Sequence, residues 1–185
     1  MMTQVLVAYG TRYGSTREVA ETVAATLEQL GVDTAVKQAR GVHSPDGYDA
    51  VVLGTPLYMG ALHKDVRALL EKNRAALEQT PLALFVLGPI KAEDGVEGSR
   101  EQLFTALAKL TVPTPAATAV FVGAYYPARL GLKDKMIAAL PASPLHGVPS
   151  HDDRDWDAIR AWAREAGGLI SSGMAPAERA AAGVL

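Results

Sequence analysis

The sequence of 185 residues contains no cysteine, which excludes disulfide bonds, thiol catalysis and thiolate metal sites and leaves any redox chemistry to a bound cofactor. It also lacks an excess of charge of either sign: the formal net charge is −2, which gives no indication of nucleic-acid binding. Long hydrophobic runs are missing, since Leu82–Leu87 is far too short to cross a bilayer, and no basic and apolar leader precedes the first predicted strand. The missing leader and membrane span predict a cytoplasmic protein. We identify no candidate metal ligands in the sequence.

Residues 5–16, read as V-L-V-A-Y-G-T-R-Y-G-S-T, join a short apolar run to a loop of glycines and hydroxyl residues. The run is typical of a strand buried on both faces, and a helical period follows the loop. Backbone N–H groups, hydroxyls and the positive end of a helix can together wrap a phosphate. The loop has neither the G-x-x-x-x-G-K-[ST] nor the G-x-G-x-x-G pattern. The alternative is an ordinary turn in which Ser15 or Thr16 caps the helix.

The rest of the chain alternates strands with helices, which predicts an α/β fold with a parallel sheet. The predicted strands span residues 5–8, 33–38, 50–53, 82–87 and 118–122. Helices are predicted to begin near residues 15, 99 and 155, and a further helix carries Val66, Leu69 and Leu70. The first helix runs to Leu30, and Ser99 with Gln102 forms a capping box for the third. Five strands in this rhythm fit the doubly wound order 2-1-3-4-5 with helices on both faces, whose ligand lies beyond strands 1, 3 and 4. Glycine-containing loops, residues 10–16, 54–60 and 88–95, follow those three strands.

The segment of about 124–151, called the insert below, is longer than a minimal domain of this type needs between strand 5 and the last helix. A short amphipathic helix is predicted in it. The apolar residues of that helix either border the ligand site or pack on the sheet as additional core; they are Leu132, Met136, Ile137 and Leu140. The last helix is predicted to be capped by Asp155 and to bury Trp156 and Trp162. One domain is expected over 1–173, followed by a flexible tail over 174–185.

The spacing Y-x-[ST]-x-x-G-[ST]-T in the first loop resembles the FMN-phosphate loop of the flavodoxin superfamily. The stretches G-T-P-L-Y-M-G, F-V-G-A-Y-Y-P-A-R-L-G-L-K-D-K-M-I and D-R-D-W-D-A-I-R-A-W-A resemble the subfamily that contains the menaquinone-dependent protoporphyrinogen oxidases. The resemblance implies a flavodoxin-like fold with FMN as cofactor. It also implies that the insert is linked to membrane or quinone-side chemistry.

By the same resemblance, the first loop holds the FMN phosphate and the other two loops hold the edge of the isoalloxazine ring. The implied cofactor-binding residues are Thr11, Arg12, Tyr13, Gly14, Ser15, Thr16, Thr55, Pro56, Leu57, Tyr58, Met59, Gly60, Gly88, Pro89, Ile90 and Lys91. Relatives often place an aromatic residue at the position of Met59, whereas here Tyr58 comes one residue earlier. No catalytic residue is assigned. His63 is expected to face solvent or cap a helix rather than donate a proton, and Lys91 to be a solvated loop residue.

The implied function is an FMN-binding oxidoreductase resembling a quinone-dependent protoporphyrinogen oxidase, with a quinone or porphyrinogen near the insert and at most peripheral contact with the inner face of the membrane. The alternative is a flavodoxin-type electron-transfer protein whose insert docks a redox partner. The nearly neutral charge favours the first, because shuttle flavodoxins tend to be strongly acidic around the flavin. A scaffold without FMN is disfavoured by the intact phosphate loop, and a phosphoacceptor domain by the lack of an acidic cluster after strand 1.

Overall fold

The computed structural model describes residues 2–143 and 145–171, so the predicted tail lies outside the described residues. The strands are β1 (Gln4–Tyr9), β2 (Asp33–Gln38), β3 (Ala50–Tyr58), β4 (Ala61–Leu62), β5 (Leu82–Leu87), β6 (Ala117–Phe121), β7 (Ala124–Tyr125) and β8 (His151–Asp152). The α-helices are α1 (Ser15–Glu28), α2 (Lys64–Lys72), α3 (Arg74–Gln79), α4 (Glu97–Leu110), α5 (Leu132–Ala139) and α6 (Trp156–Ser171).

The five main strands pair in parallel in the order β2-β1-β3-β5-β6. This confirms the predicted 2-1-3-4-5 order, because β4 is only a short antiparallel partner of β3. Alternate residues of β1 enter two separate cores: Val5 and Val7 lie in the core with α1 and α6, whereas Leu6 and Ala8 lie in the core with α2 and α4. Burial on both faces explains why the strands are continuously apolar.

The strand register brings the three predicted loops together. Tyr9 lies beside Gly54, and Pro56 lies beside Leu87. The amide of Gly10 also donates to the carbonyl of Gly54 at 2.9 Å. All three loops therefore leave the same carboxyl edge of the sheet at adjacent strands, as the fold requires for a ligand site.

The cap of the last helix and the burial of Trp162 are as predicted, whereas Trp156 is only partly buried. Asp155 Oδ1 accepts hydrogen bonds from the amides of Asp157 and Ala158, which confirms Asp155 as the cap. Trp162 is buried with its ring 5.7 Å from that of Phe85, and Trp156 packs partly buried against the same core. These edge-on aromatic contacts anchor α6 to the sheet.

Two predicted helix boundaries are wrong. α1 ends at Glu28 rather than Leu30, because the chain turns there and reaches Gly31 with a positive φ of 81°. The predicted capping box of Ser99 and Gln102 does not form, since α4 already begins at Glu97. Ser99 instead packs against Gly88, where an added Cβ would lie 2.6 Å from the Ser99 side chain.

The predicted helix of the insert is present as α5, but its apolar residues do not form additional core. Leu132, Met136, Ile137 and Leu140 are between 55% and 78% exposed. The interpretation of this segment as core is therefore wrong. None of the helices in the described part of the chain is long and apolar enough to cross a membrane.

Candidate functional site

The first loop closes on itself before α1 begins. Gly14 is the N-terminal cap residue of α1 with φ 95°, and its amide donates to Thr11 Oγ1 at 2.9 Å. A left-handed conformation of this kind is easy only for glycine. Ser15 and Thr16 lie inside the first turn and neither caps the helix, so the alternative of an ordinary capped turn is wrong.

Thr16 carries a buried hydroxyl without a partner. The residue is 1% exposed, and the described residues provide no hydrogen bond to its Oγ1 atom. In the same turn, the amides of Ser15, Thr16 and Arg17 have no intrahelical acceptor, because the first turn of a helix never supplies one. A buried polar group without a partner is costly. Together these donors suit an anion at the positive end of α1.

The second loop is a β-hairpin rather than the strand-to-helix loop that was predicted. β3 continues through residues 54–58 and pairs antiparallel with β4. Met59 and Gly60 form the turn with φ angles of 50° and 75°, as a two-residue type I′ turn requires. The buried Thr55 closes the base of the hairpin, since its Oγ1 atom accepts the amide of His63 at 2.9 Å.

Tyr58 and Met59 differ in what they contact. The Arg12 guanidinium lies 5.3 Å from the centre of the Tyr58 ring and 5.5 Å from that of Tyr13, so it links the hairpin to the first loop. Arg12 also pairs with Asp134 of α5 at 2.8 Å. Met59, at the tip, is 96% exposed. Tyr58 is therefore the side chain that the hairpin brings against the first loop.

The third loop is held by hydrogen bonds to the insert and to residues on either side of it. The carbonyl of Pro89 accepts the amide of Gly123 at 2.8 Å, and the carbonyl of Ile90 lies 3.0 Å from His151 Nε2. The Asp153 carboxylate accepts a hydrogen bond from the amide of Ala92 at 3.0 Å. Lys91 itself pairs with the exposed Glu93, in agreement with a solvated loop lysine.

A buried arginine joins these parts of the site. The side chain of Arg154 is 2% exposed and pairs with Asp152 at 2.6 Å and Glu18 at 2.7 Å. It also donates to the Ser15 carbonyl at 3.1 Å and to the Tyr126 hydroxyl at 3.2 Å. We call Glu18, Tyr126, Asp152 and Arg154 the Arg154 cluster. Sequence reasoning missed it, although Arg154 stands within the D-R-D-W motif.

The Arg154 cluster holds its carboxylates in the charged form. Hydrogen bonds from Arg154 lower the pKa of Asp152 to about 2, against a partial burial that raises it. Burial likewise raises the pKa of Glu18, but the donors from Arg154 and Arg129 outweigh it and the net shift is downward. The cluster is therefore a structural ion network at neutral pH rather than a source of transferable protons.

His63 caps α2, which confirms the expected capping role. Its Nδ1 atom accepts the amide of Asp65 at 3.3 Å. The ring also lies against Gly10, where an added Cβ would come within 2.7 Å of it. A polar cavity of about 240 Å³ opens beside this contact, with Thr11 and Arg12 in its lining.

Comparison with known proteins agrees with this architecture. A family model described as a flavodoxin domain matches residues 6–150. Protoporphyrinogen IX dehydrogenase (quinone) from Escherichia coli strain K12 is 30% identical over 84 residues, which cover 44% of this chain and 46% of that protein. The chain thus matches about half the length of this curated relative.

Solved structures of low identity share the fold. A flavodoxin from the domain Archaea covers 91% of this chain and 99% of its own, with 15% identity and a TM-score of 0.55. A flavodoxin of Streptococcus pneumoniae TIGR4 covers 93% of this chain and 100% of its own, with 13% identity and a TM-score of 0.55.

We predict that replacing Arg154 by Gln lowers the free energy of unfolding by about 3 kcal/mol, because two carboxylates lose their buried partner. Arg160 on α6 is the control: among the described residues its ion pair is with Asp157, which is 94% exposed. Arg160→Gln should change stability by less than about 0.5 kcal/mol. Urea unfolding of both variants measures the difference, and equal losses would contradict the structural role of Arg154.

We also predict that the contribution of Asp152 to stability depends on pH. Its pKa is about 2 in the folded chain against an ordinary 3.8, so the contribution is complete above pH 4 and is lost as the pH falls toward 2. Asp152→Asn should therefore be less stable than the wild type at pH 6, and the gap should narrow toward pH 2. Urea unfolding across this range tests the prediction, and a gap independent of pH would refute it.

Proposed function

The chain belongs to the flavodoxin domain family, and on that premise we propose that it binds FMN with the phosphate on residues 11–16. The observation that carries the proposal is the buried Thr16 hydroxyl without a partner at the positive end of α1. A phosphate offers acceptors for this hydroxyl and for the free amides of the first turn. Gly14 leaves room for the approach, since the nearest atom to an added Cβ there would be 3.8 Å away.

The isoalloxazine ring belongs between the hairpin and the third loop in this proposal. The residues assigned to it are Thr55, Pro56, Leu57, Tyr58, Met59 and Gly60 of the hairpin, and Gly88, Pro89, Ile90 and Lys91 of the third loop. Bound FMN would supply the redox chemistry, while the chain binds and orients it. The contact between Tyr58 and Arg12 favours Tyr58 over Met59 as the side chain that covers the ring.

We further propose that the chain is an FMN-dependent oxidoreductase whose partner is a quinone or porphyrinogen. The partial match to the E. coli protoporphyrinogen IX dehydrogenase supports this activity. So does the exposed apolar side of α5, which lies near the hairpin because Asp134 of α5 pairs with Arg12. The competing function is electron transfer to a redox protein that docks on the same insert.

The insert is proposed to contact the hydrophobic partner or the membrane surface from which that partner comes. Leu132, Met136 and Ile137 are more than half exposed, and Lys133 and Lys135 have no ion pair among the described residues. Two cations near an anionic surface would add roughly 1 kcal/mol each. Contact of this strength is peripheral and sensitive to salt.

We predict that Thr16→Ala weakens FMN binding by about 1–3 kcal/mol, the contribution of one hydrogen bond to a charged group. Thr26 is the matched control, since it is equally buried on α1 but its hydroxyl already bonds to the Thr22 carbonyl at 2.8 Å. Thr26→Ala should leave the FMN affinity unchanged. Fluorescence titration of each protein with FMN measures the affinities, and equal binding by the Thr16 variant and the wild type would refute the phosphate site.

We predict that the combined changes Leu132→Gln, Met136→Gln and Ile137→Gln leave folding and FMN affinity unchanged, because these side chains are exposed. The FMN of each loaded protein is first reduced with dithionite, and the rate at which it then reduces a quinone should fall at least about tenfold, the effect of losing about 1.4 kcal/mol of contact. Phe104→Gln on α4, a residue 50% exposed, is the control. An unchanged rate in the triple variant would show that the partner binds elsewhere.

A further inference from the structure

We propose that Arg129 of the insert is a phosphate-binding residue, which exchanges its partner Glu18 for the phosphate of bound FMN. This inference rests on the proposed FMN function and adds a charged side chain to a loop whose own arginine, Arg12, is paired with Asp134. It assigns to the insert a role in cofactor binding that the sequence patterns did not indicate.

Arg129 already lies beside the first loop. Its Nη1 atom would be 3.8 Å from a Cβ placed on Gly14, the residue that caps α1. Apart from Gly14 and its chain neighbours, no other heavy atom of the described residues comes within 4 Å of that position, so Arg129 is the side chain nearest to it. The side chain is 47% exposed, so packing does not confine the guanidinium to one position.

Glu18 does not need Arg129. Arg129 Nη1 reaches Glu18 Oε1 at 3.0 Å, but Arg154 holds the other carboxylate oxygen, Oε2, at 2.7 Å. If Arg129 turned to the phosphate, Glu18 would keep a buried, charge-assisted partner. The exchange therefore leaves no carboxylate unpaired, which is the condition for a low-cost switch of partner.

The other arginines around the loop are committed to their present partners. Arg154 is buried in its cluster, Arg12 pairs with Asp134 and lies against two tyrosine rings, and Arg17 pairs with Glu21 one turn along α1. Arg129, by contrast, lies 4.3 Å from the centre of the Tyr126 ring, which supports the guanidinium plane without fixing its hydrogen bonds. Its planar fork also suits a phosphate.

In this proposal, a residue of the insert binds the phosphate group of FMN directly. FMN and riboflavin share the isoalloxazine ring and differ in the phosphate, so Arg129 should contribute to the affinity for FMN alone. A residue that merely supported the loop would affect both flavins together. The ratio of the two affinities therefore separates phosphate binding from a structural role.

The test compares Arg129→Gln with Arg74→Gln, which removes the same charge from a half-exposed ion pair with Glu78 on α3. For the wild type and both variants, FMN and riboflavin affinities are measured by fluorescence titration. We expect Arg129→Gln to weaken FMN binding at least about tenfold and riboflavin binding less than about twofold, since one charge-assisted contact is lost. Arg74→Gln should change neither affinity by more than about threefold.

An unchanged ratio of FMN to riboflavin affinity in Arg129→Gln would overturn the inference while leaving the proposed function intact. Failure of the wild type to bind FMN would instead overturn the proposed function, and this inference with it. Arg129→Met, which keeps the aliphatic stem over Tyr126, is the second variant and should show the same selective loss. Thermal unfolding without flavin verifies that the variants are folded.

Discussion

The buried guanidinium of Arg154 is the interaction on which the rest of the site depends. It ties the start of α1, through the Ser15 carbonyl and Glu18, to Asp152 at the end of the insert. The neighbouring residues His151 and Asp153 then bond to the third loop. One short segment thus sets the position of two loops that the sheet alone would only bring near each other. A buried guanidinium is stable only when charged partners are held close to it. Arg154 therefore requires one relative position of α1 and the segment around residue 152.

The sheet brings the three loops close together, and the residues of the loops and of the insert supply the hydrogen-bond donors and charges of the site. Parallel pairing of the strands places the three loops at one edge of the sheet. The left-handed conformation of Gly14 starts α1 at a point where the first amides of the helix and the Thr16 hydroxyl are without acceptors. Arg12 links this set to Tyr58 of the hairpin and to Asp134 of α5. The first loop, the hairpin and the insert are therefore connected through these contacts into one candidate site.

The strand order and the three loops could be predicted from the sequence, because short apolar runs identify buried strands and nearby glycines identify the loops that follow them. They failed where long-range contacts decide the outcome. The extension of β3 to Tyr58 depends on pairing with β4, and the start of α4 depends on packing around Gly88. Arg154 could not be assigned a role, since its partner Glu18 lies far away in the sequence. The sequence also could not predict that the apolar residues of α5 are exposed, because the same amphipathic pattern is found in helices that pack on a core and in helices that form a docking surface.

The most direct test of the account is which flavin the chain retains. The protein is incubated with equal amounts of FMN and FAD and then desalted. The visible spectrum is recorded, and the released flavin is identified by mass spectrometry. Because the first loop is proposed to enclose a terminal phosphate and lacks the dinucleotide pattern, the account predicts FMN at about one molecule per chain and little FAD. Preferential retention of FAD, or retention of neither flavin, would contradict it.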